Sequence, residues 1–330
     1  MSDRKKDHIN LAFQSRIEKG KADNRFDYEP MLSAHPRQLP QPFSFAGKTM
    51  RLPVWVSSMT GGTALAGNIN RNLAQACREF GMGMGLGSCR VLLDDASHLA
   101  DFDVRRILGD EQPLYANLGI CQLEKLLTGH QLHRIDQMVE MLRADGLIIH
   151  VNPLQEAFQP EGDRLLHSPI ELIEWFLKET KLRIIVKEVG QGMGPQSLAK
   201  LMALPIEAIE FGALGGTNFS LLEMLRHDET VASAMEPFAH IGHTADEMLC
   251  TINALVAENS AVRCKQLIIS GGITSVLHGH HLVKLSQTPA VFGMGAMFLK
   301  HATSGYDTLR QYVEQLQYGW MLAEAFLKRR

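Results

Sequence analysis

The amino-acid sequence predicts an α/β fold, namely a closed (β/α)8 barrel (a TIM barrel) with an N-terminal arm and a long insertion after strand six. Three observations support this prediction. Strand-sized apolar runs recur from residue 53 onward, segments with helical spacing of apolar residues separate them, and each run ends at a polar or glycine-rich corner. The length of 330 residues suits one large barrel of about 250 residues with extensions.

The predicted strands number eight, as a barrel of this kind requires. They cover residues 53–57, 82–86, 114–117, 147–151, 183–187, 208–211, 266–269 and 290–293. Apolar residues repeat with helical spacing in the segments between and after them, which predicts amphipathic helices. The predicted helices cover residues 69–80, 135–142, 170–177, 197–202, 248–256 and 309–327.

An open doubly wound sheet is the alternative arrangement for alternating strands and helices. Such a sheet needs polar chemistry only in the one or two loops at its switch point. Here all eight strands are followed by polar or glycine-rich corners, from residues 58–62 after the first strand to residues 295–296 after the last. A barrel brings all eight corners to one mouth, so the sequence favours the barrel and predicts the ligand site at that mouth.

Two segments fall outside the regular alternation of strands and helices. Residues 1–50 are polar and contain four prolines, which indicates an extended arm (residues 1–50) ahead of a barrel domain (residues 51–330). Residues 214–262 form a connection that includes residues 227–241 and is too long for an ordinary loop. We expect this connection to be a lid or a cover over the ligand.

The composition restricts the class of protein. Lys and Arg number 33 against 36 Asp and Glu, and this net charge of -3 gives no electrostatic reason to expect nucleic acid as a partner. No apolar run approaches the roughly 18 residues of a membrane helix, and the polar first residues are unlike a signal peptide. The five cysteines are scattered, so neither a disulfide framework nor a zinc site is expected. A cytoplasmic location is therefore predicted.

The glycine-rich corners raise the question of a nucleotide cofactor. None of them completes a Gly-x-Gly-x-x-Gly pattern after a strand, so a built-in site for a nicotinamide nucleotide is not expected. The corners after strands seven and eight have another candidate use, because backbone N–H groups at these positions hold phosphate in phosphate-binding barrels. Glycine at a strand end can also simply permit positive φ. We favour phosphate binding over this conformational role for the two corners together, namely Gly271, Gly272, Gly295 and Ala296.

Polar residues follow the fourth predicted strand at close spacing. Strand alternation places His150 and Asn152 on the same face, and Gln155 and Glu156 follow within one turn. One carboxylate among neutral donors suits Mg²⁺ bound together with a polyanionic substrate. The alternative is that these are ordinary cap and loop residues, but four of them near one strand end favour function.

Two groups of basic residues are candidates for binding an anion or a ring. Lys187 ends an apolar strand, so its ammonium needs a partner, such as an electron-rich ring edge or a phosphate. A salt bridge to Glu188 is the alternative, which is weakened because adjacent strand residues point to opposite faces. Arg4 and Lys5 are either a solvated end or part of a basic arm that closes over a diphosphate.

Taken in order, these residues match the motifs of a known family. The chain resembles the type 2 isopentenyl-diphosphate isomerases, which are FMN-dependent barrel enzymes. The matching motifs are Arg4-Lys5-x-x-His8, Met59-Thr-Gly-Gly62, Gly87-Ser88, Asn117-x-Gly119, His150-x-Asn152, Gln155-Glu156, Pro160-Glu-Gly-Asp-Arg164, Lys187-Glu-Val-Gly190, Gly215-Gly-Thr-Asn-Phe219 and Ser270-Gly-Gly272. They span nearly the whole chain.

The resemblance implies an activity and a set of site residues. The activity is the interconversion of isopentenyl and dimethylallyl diphosphate, with reduced FMN as acid–base cofactor, NADPH or another reductant, and Mg²⁺. FMN would contact Ser58, Met59, Thr60, Ser88, Asn117, Lys187, Thr217, Gly271, Gly272, Gly295 and Ala296. The substrate diphosphate would contact Arg4, Lys5, Ser88, Arg90, His150, Asn152 and Gln155. Glu156 would hold Mg²⁺, and the catalytic residues would be Lys187, His150 and Gln155.

The resemblance also implies a homo-oligomer, either a tetramer or an octamer, and leaves open whether the basic arm acts in cis or in trans. The chain departs from the family pattern near the predicted phosphate site. Val276 and His278 stand where the family has a glycine and an acidic residue, residues 286–289 replace an alanine–glycine-rich turn, and the C-terminal extension is short.

Two alternative functions stay open at the level of sequence. One is an FMN-dependent oxidoreductase of a small 2-hydroxy acid, and the other is a degenerate flavin-binding protein with a structural or regulatory role. The oxidoreductase would need a catalytic His paired with an Arg for the substrate carboxylate. The polar set around His150 suits a diphosphate with Mg²⁺ better. The hypothesis of a degenerate flavin-binding protein is supported only by the changes near Val276.

Overall fold

Eight parallel strands close into a barrel in the part of the chain that the structure, a computed structural model, describes: residues 2–59, 61–226, 229–258 and 261–330. The strands are, in chain order, β1 (Phe26–Tyr28), β2 (Phe43–Phe45), β3 (Lys48–Met50), β4 (Val54–Val56), β5 (Gly83–Gly85), β6 (Leu114–Gly119), β7 (Gly146–Val151), β8 (Arg183–Glu188), β9 (Ala208–Glu210), β10 (Gln266–Ser270), β11 (Ala290–Met294) and β12 (Leu327–Arg329). The barrel runs from β4 to β11, and β11 pairs with β4 to close the ring.

Helices connect the barrel strands and extend the chain beyond them. They are, in chain order, α1 (Ser2–Leu11), α2 (Ala64–Phe80), α3 (Arg105–Leu108), α4 (Ile120–Thr128), α5 (His133–Met141), α6 (Pro153–Phe158), α7 (Pro169–Glu179), α8 (Pro195–Met202), α9 (Phe219–Met224), α10 (Glu229–Ala239), α11 (Ala245–Ala257), α12 (Val276–Leu285), α13 (Ala296–Thr303) and α14 (Tyr306–Phe326). None of the helices in the described residues combines the length and apolar character needed to cross a membrane.

The predicted fold class is confirmed. Each predicted strand coincides with a barrel strand, and the ends differ by two residues or fewer. The helix predicted over residues 69–80 begins earlier, at Ala64, because Thr63 caps it by accepting a hydrogen bond from the N–H of Ala66. It ends as predicted at Phe80, where Gly81 adopts the left-handed conformation that terminates many helices.

An apolar layer fills the N-terminal half of the barrel interior. Side chains alternate along each strand, so every second residue points inward. The inward residues of this layer are Trp55, Tyr115, Ile148, Ile185, Ala208, Ile268 and Val291, all of them fully buried. The hairpin formed by β2 and β3 closes the floor beneath them, because Phe45, Ala46 and Met50 belong to the same buried cluster.

The floor hairpin is held by its turn and by two hydrogen bonds. Ala46 and Gly47 have φ values of 48° and 77°, which suits a two-residue hairpin turn with both residues left-handed. The Tyr115 hydroxyl donates to the carbonyl of Ala46 over 3.0 Å. The N–H of Ala46 donates to the side-chain oxygen of Gln266 over 2.7 Å. The hairpin is therefore tied to two different barrel strands.

Residues 1–50 contain more regular structure than the extended arm that the sequence predicts. They include helix α1, the floor hairpin, and strand β1, which pairs antiparallel with β12 at the other end of the chain. The period-two pattern around Phe43 and Phe45 indicates a strand, but the four nearby prolines conceal it. The division of the chain at residue 50 stays a prediction.

The long connection after β9 contains helices α9 and α10 and is anchored to the preceding barrel corner. The side-chain amide of Gln191 donates to the carbonyls of Phe238 and Ile241 over 2.9 and 2.7 Å. The same side chain accepts a hydrogen bond from the Ser220 hydroxyl over 2.6 Å. The predicted insertion is thus confirmed, while its role as a lid stays a prediction. Residues 227, 228, 259 and 260 of this connection lie outside the described residues.

Replacing Phe45 by Ala should destabilise the protein by about 3 to 4 kcal/mol, because a large buried ring is removed from the floor of the barrel. The measurement is the free energy of unfolding by urea. Phe13→Ala is the matched control, since Phe13 is 77% exposed and its loss should change that free energy by less than about 0.5 kcal/mol. Equal effects of the two substitutions would contradict the assignment of Phe45 to the core.

Candidate active site

A polar layer follows the apolar layer at the C-terminal ends of the barrel strands. Alternation places it there, since His150 lies two residues after the inward Ile148 and Lys187 two residues after the inward Ile185. The layer consists of Ser57, Asn117, His150, Lys187, Glu210 and Ser270. Gly293 leaves room for it, because an added Cβ would lie 2.9 Å from the Ser57 hydroxyl.

A cavity of about 140 Å³ opens above the polar layer at the barrel mouth. It is lined by Ser58, Met59, Gly87, Ser88, Asn117, His150, Gln155, Lys187, Val189 and Phe219. Seven of these ten residues are predicted site residues. They come from five different corners of the barrel, which the sequence separates by more than a hundred residues. The structure therefore brings these seven predicted residues together in one place, while the other predicted site residues lie outside the cavity lining.

His150 is held in its neutral form at the base of the cavity. Its Nδ1 atom lies 2.6 Å from the side-chain oxygen of Asn117. Burial, together with the nearby charge of Lys187, lowers the pKa of His150 to about 3. Because the amide oxygen only accepts, Nδ1 carries the ring proton and Nε2 is left as an acceptor.

Lys187 is a buried cation whose partner is not the neighbouring carboxylate. Its side chain is 7% exposed, and Nζ donates to the backbone carbonyl of Glu188 over 2.8 Å. The Glu188 carboxylate instead accepts the backbone N–H groups of Gly190, Gln191 and Gly192 over 2.7 to 2.9 Å. The carboxylate thus shapes the corner that anchors the insertion, and the ammonium of Lys187 faces the cavity.

Sequence reasoning misses Glu210, which completes the polar layer. It is fully buried, and neither carboxylate oxygen has a hydrogen-bond partner in the part of the chain that the structure describes. Burial raises the pKa of Glu210, while Lys187 and the hydroxyls of Ser57 and Ser270 act in the opposite direction. The available signal is a glutamate at the end of the otherwise apolar strand 208–211, since a charged residue there must be buried.

A hydrogen-bonded network extends from Asn152 into the insertion. The Asn152 amide donates to the side-chain oxygen of Gln155 over 3.1 Å, and its own oxygen is buried without a partner. The Gln155 amide donates to Glu223 over 3.0 Å, and Glu223 also accepts from Arg226. Sequence reasoning misses Glu223, because helix α9 reaches Gln155 only through the tertiary fold.

Glu156, the predicted Mg²⁺ ligand, lies beside this network and is 8% exposed. One carboxylate oxygen accepts from Asn152 over 3.2 Å, and the other accepts the N–H of Asp163 over 2.8 Å. Within the described residues, no cluster of three His, Cys, Asp or Glu is placed to hold a metal. Glu156 is therefore a single carboxylate rather than part of a protein cage.

The two glycine corners predicted to bind phosphate lie next to other corners of the mouth. Gly271 and Gly272 have φ values of 90° and 67°, and a Cβ on Gly271 would lie 2.1 Å from the carbonyl oxygen of Ala213. Gly295 precedes helix α13, which begins at Ala296. The N–H groups in the first turn of that helix have no partners within it. The corner at 271–272 thus has the positive φ values of a glycine turn, and the start of helix α13 offers backbone N–H groups as hydrogen-bond donors.

The remaining predicted residues lie outside the cavity lining. Arg4 and Lys5 are exposed on helix α1, Arg90 is exposed at the start of a 3-10 helix, and Thr217 is exposed in the corner after β9. Thr60 falls outside the described residues. The structure does not bring this group to the cavity wall, so the role of each stays a prediction.

The departures near the predicted phosphate site have structural roles of their own. Val276 begins helix α12 and packs toward α14, where a Cβ on Gly319 would lie 2.8 Å from it. His278 lies 3.3 Å from the carboxylate of Asp246. Ser275 caps α12 by accepting the N–H of His278. The helix start after β10 is therefore intact despite these substitutions.

The fold and the cavity define a (β/α)8 barrel with a candidate active site at the C-terminal mouth. Among solved structures, a flavocytochrome b2 mutant with pyruvate bound has a TM-score of 0.63 and 14% identity, over 91% of this chain and 72% of that one. A mandelate oxidase mutant with an FMN adduct has a TM-score of 0.57 and 16% identity, over 93% and 88%. These identities show a shared fold alone.

Closer relatives are found by sequence. The isopentenyl-diphosphate delta-isomerase of Rickettsia felis is 31% identical over 317 residues, which cover 94% of this chain and 88% of the relative. The protein of the same name from Rickettsia typhi is 31% identical over 91% of this chain and 86% of the relative. The chain belongs to the isopentenyl-diphosphate delta-isomerase family, as the sequence predicts. No protein-family model matches the chain.

His150 should make stability fall with acidity. Its pKa is about 3 in the folded protein but about 6.5 when unfolded, so the unfolded chain binds an extra proton between these values. His150→Gln should reduce the loss of unfolding free energy between about pH 7.5 and pH 5 by about 1 to 2 kcal/mol. Urea unfolding at both values measures it. The exposed His133, changed to Gln, is the control, and an equal effect there would refute the prediction.

Proposed function

We propose that this protein interconverts isopentenyl diphosphate and dimethylallyl diphosphate at the barrel mouth, using reduced FMN as cofactor. The observation that carries the proposal is the cavity in which Lys187, His150, Asn117 and Gln155 converge. Membership of the isopentenyl-diphosphate delta-isomerase family supports the same reaction. The oligomeric state, expected to be a tetramer or an octamer, is part of the proposal.

The residues present at the mouth fit FMN. Among the described residues, the Ser58 hydroxyl is buried without a partner, and the Lys187 ammonium donates one hydrogen bond. The glycine corner at 271–272 and the start of helix α13 offer backbone N–H groups for a phosphate. The residues that would hold the ring are Ser58, Met59, Thr60, Ser88, Asn117 and Lys187, with Thr217 toward the ribityl side.

The chain's own residues would bind and orient the substrate. The neutral amides of Asn152 and Gln155 offer donors to the diphosphate, and the imidazole of His150 lies at the same wall. Arg4, Lys5 and Arg90 would reach the diphosphate from outside the cavity, while Glu156 would carry Mg²⁺ against it. Because the diphosphate would be fixed at several points, the five-carbon tail of the substrate would have to extend into the interior of the cavity.

Shifting an unactivated double bond requires adding a proton at one carbon and removing one at another. The cavity wall holds no cysteine or carboxylate among the described residues. Reduced FMN supplies the acid–base centre when bound. Lys187 would hold positive charge at the floor of the cavity, Gln155 would hold the substrate in place through its diphosphate, and the insertion would limit access of water. NADPH or another reductant would keep the cofactor reduced.

A 2-hydroxy-acid oxidoreductase is less well supported by the geometry. That chemistry needs an arginine beside the histidine to bind the substrate carboxylate. The described cavity lining contains the imidazole of His150 and the ammonium of Lys187 but no guanidinium. The mouth therefore suits a diphosphate chain better than a small carboxylate.

The direct test is turnover. Purified protein is incubated with FMN, a reductant, Mg²⁺ and isopentenyl diphosphate, and the formation of dimethylallyl diphosphate is followed. We expect product without net consumption of reductant. Tight FMN binding without product formation would indicate a degenerate flavin-binding protein. Reduction of the bound flavin by a 2-hydroxy acid would indicate the oxidoreductase.

Lys187→Met should lower kcat by about 100-fold or more, because a preorganised charge at the reacting centre is lost. The rate of product formation with saturating FMN measures it. Lys200→Met is the matched control, since Lys200 is exposed on helix α8 and its removal should leave kcat within about twofold. Unchanged turnover in Lys187→Met would reject the assigned role.

Glu156→Gln should raise the Mg²⁺ concentration needed for half-maximal activity on the order of tenfold, because the neutral amide is a weaker ligand. A titration of activity against Mg²⁺ measures it. Glu161→Gln is the control, since Glu161 lies in the same segment and its side chain is 56% exposed. If both variants keep the wild-type Mg²⁺ requirement, Glu156 is not the ligand.

A further inference from the structure

Asp163 connects Glu156, the predicted Mg²⁺ ligand, to helix α4. The N–H of Asp163 donates to one carboxylate oxygen of Glu156 over 2.8 Å. The side chain of Asp163 is bonded to α4, where it accepts from the Lys125 ammonium over 2.6 Å and from the Gln122 amide over 3.2 Å. The proposed reaction assigns no role to Asp163, Lys125 or Gln122.

The segment that carries Asp163 is folded tightly against helix α6, on which Glu156 lies. Gly162 packs so closely that an added Cβ would lie 2.0 Å from the backbone oxygen of Glu156. The Arg164 guanidinium donates to the same oxygen over 2.6 Å and to the carbonyl of Ala157 over 3.2 Å. These contacts reach the backbone of α6, whereas the N–H of Asp163 reaches the Glu156 carboxylate itself.

The Glu156 carboxylate is held at both of its oxygens. The Asn152 amide donates to the other oxygen over 3.2 Å, so the carboxylate is fixed between the corner after β7 and the N–H of Asp163. Each oxygen keeps a further lone pair for a cation. The amide oxygen of Asn152 is buried and, in the part of the chain that the structure describes, has no partner. A carboxylate with an amide oxygen beside it fits Mg²⁺, which takes oxygen ligands and keeps several waters.

Helix α4 is a firm support for Asp163, because the helix follows directly after barrel strand β6. Gln122 is 6% exposed and packs at the end of that strand, where a Cβ on Gly119 would lie 2.3 Å from its amide oxygen. The hydrogen bond from Lys125 lowers the pKa of the Asp163 carboxyl, which is therefore charged at neutral pH. Two donors of one helix thus hold this carboxylate and restrict the backbone that carries the N–H.

We propose that Asp163 is a positioning residue, whose side chain, anchored on helix α4, directs its N–H so that the Glu156 carboxylate is held ready for a divalent cation. Asp163 lies outside the cavity lining, so it acts through Glu156. The inference rests on the proposed function, in which Glu156 carries Mg²⁺ against the substrate diphosphate. Its effect on the cation can be measured without turnover.

The test measures how much Mg²⁺ strengthens the binding of inorganic pyrophosphate to protein supplied with FMN. Calorimetric titrations with Mg²⁺, and with EDTA in its place, give two affinities whose ratio is the gain due to the cation. Glu156→Gln should lose this gain, because an amide is a weaker ligand. In Asp163→Ala the gain should fall about tenfold, while the affinity in EDTA stays within about twofold of the wild-type value. A wild-type gain in Asp163→Ala would overturn the proposal.

Two further variants separate positioning from a simple effect of charge on the cation. Asp163→Asn removes the negative charge, but its amide can still accept from Lys125 and donate to the oxygen of Gln122, so the gain should stay within about threefold of the wild-type value. Lys125→Met removes a positive charge, which by electrostatics alone would strengthen cation binding. Loss of the anchor should instead weaken the gain about threefold. A gain as low in Asp163→Asn as in Asp163→Ala, or an unchanged or stronger gain in Lys125→Met, would overturn the proposal.

Glu161→Ala is the matched control. Glu161 lies in the same segment, its side chain is 56% exposed, and its carboxylate accepts from Arg226. Its substitution should keep the wild-type gain, and a loss equal to that of Asp163→Ala would overturn the proposal, because any change in the segment would then have this effect. If Asp163→Ala does not fold, Lys125→Met decides, since the Lys125 side chain is 59% exposed.

The isomerase assay separates this proposal from the proposed function. If wild-type protein shows the gain and the variants lose it as expected, but no dimethylallyl diphosphate forms, the proposed function fails and the role of Asp163 stands. If pyrophosphate binding by wild-type protein does not depend on Mg²⁺, the roles of Glu156 and Asp163 both fail, whatever the turnover.

Discussion

Two-residue alternation along the barrel strands is the constraint on which the rest of the molecule depends. The same inward row carries an apolar residue first and a polar residue two positions later, as Ile148 and His150 show on β7. The apolar layer can then be packed without water, and the polar layer meets the mouth. A slip of one residue would turn both layers outward, because alternate side chains point to opposite faces. The parallel register fixes the floor and the site together.

This layering also explains how an acidic protein can offer a site for an anion. The net charge of the chain is -3, but the charges near the cavity are arranged locally. Glu156, Glu188 and Glu223 each accept hydrogen bonds from the protein, so their charge is spread over backbone and amide donors. The ammonium of Lys187 is the charge that faces the cavity. Site electrostatics depend on this arrangement more than on the total.

The barrel and most of its mouth could be predicted from the sequence because they follow local rules. Strand period, helix period and corner composition are readable within about ten residues, and the eight strands were placed to within two residues. The floor hairpin was missed because prolines surround its short strands. Glu210 was missed because its apolar neighbours suggest an ordinary core strand, although a buried glutamate is itself unusual.

Contacts between distant residues were beyond sequence reasoning. Glu223 meets Gln155 although 68 positions separate them, and Gln191 holds the insertion through residues 47 and 50 positions away. No local pattern encodes such pairs, because they depend on where a long connection returns to the barrel. The same applies to Arg4 and Lys5, whose sequence motif is clear but whose helix is exposed.

The hairpin at the floor makes the two ends of the barrel interior different, because it closes one of them. Phe45, Ala46 and Met50 close one end, so in the described residues the polar layer communicates with solvent through the other end. A molecule bound deep in a barrel that is open at one end must bind before a molecule that lies nearer the mouth, and it must leave after that molecule. Geometry thus imposes an order of binding and release.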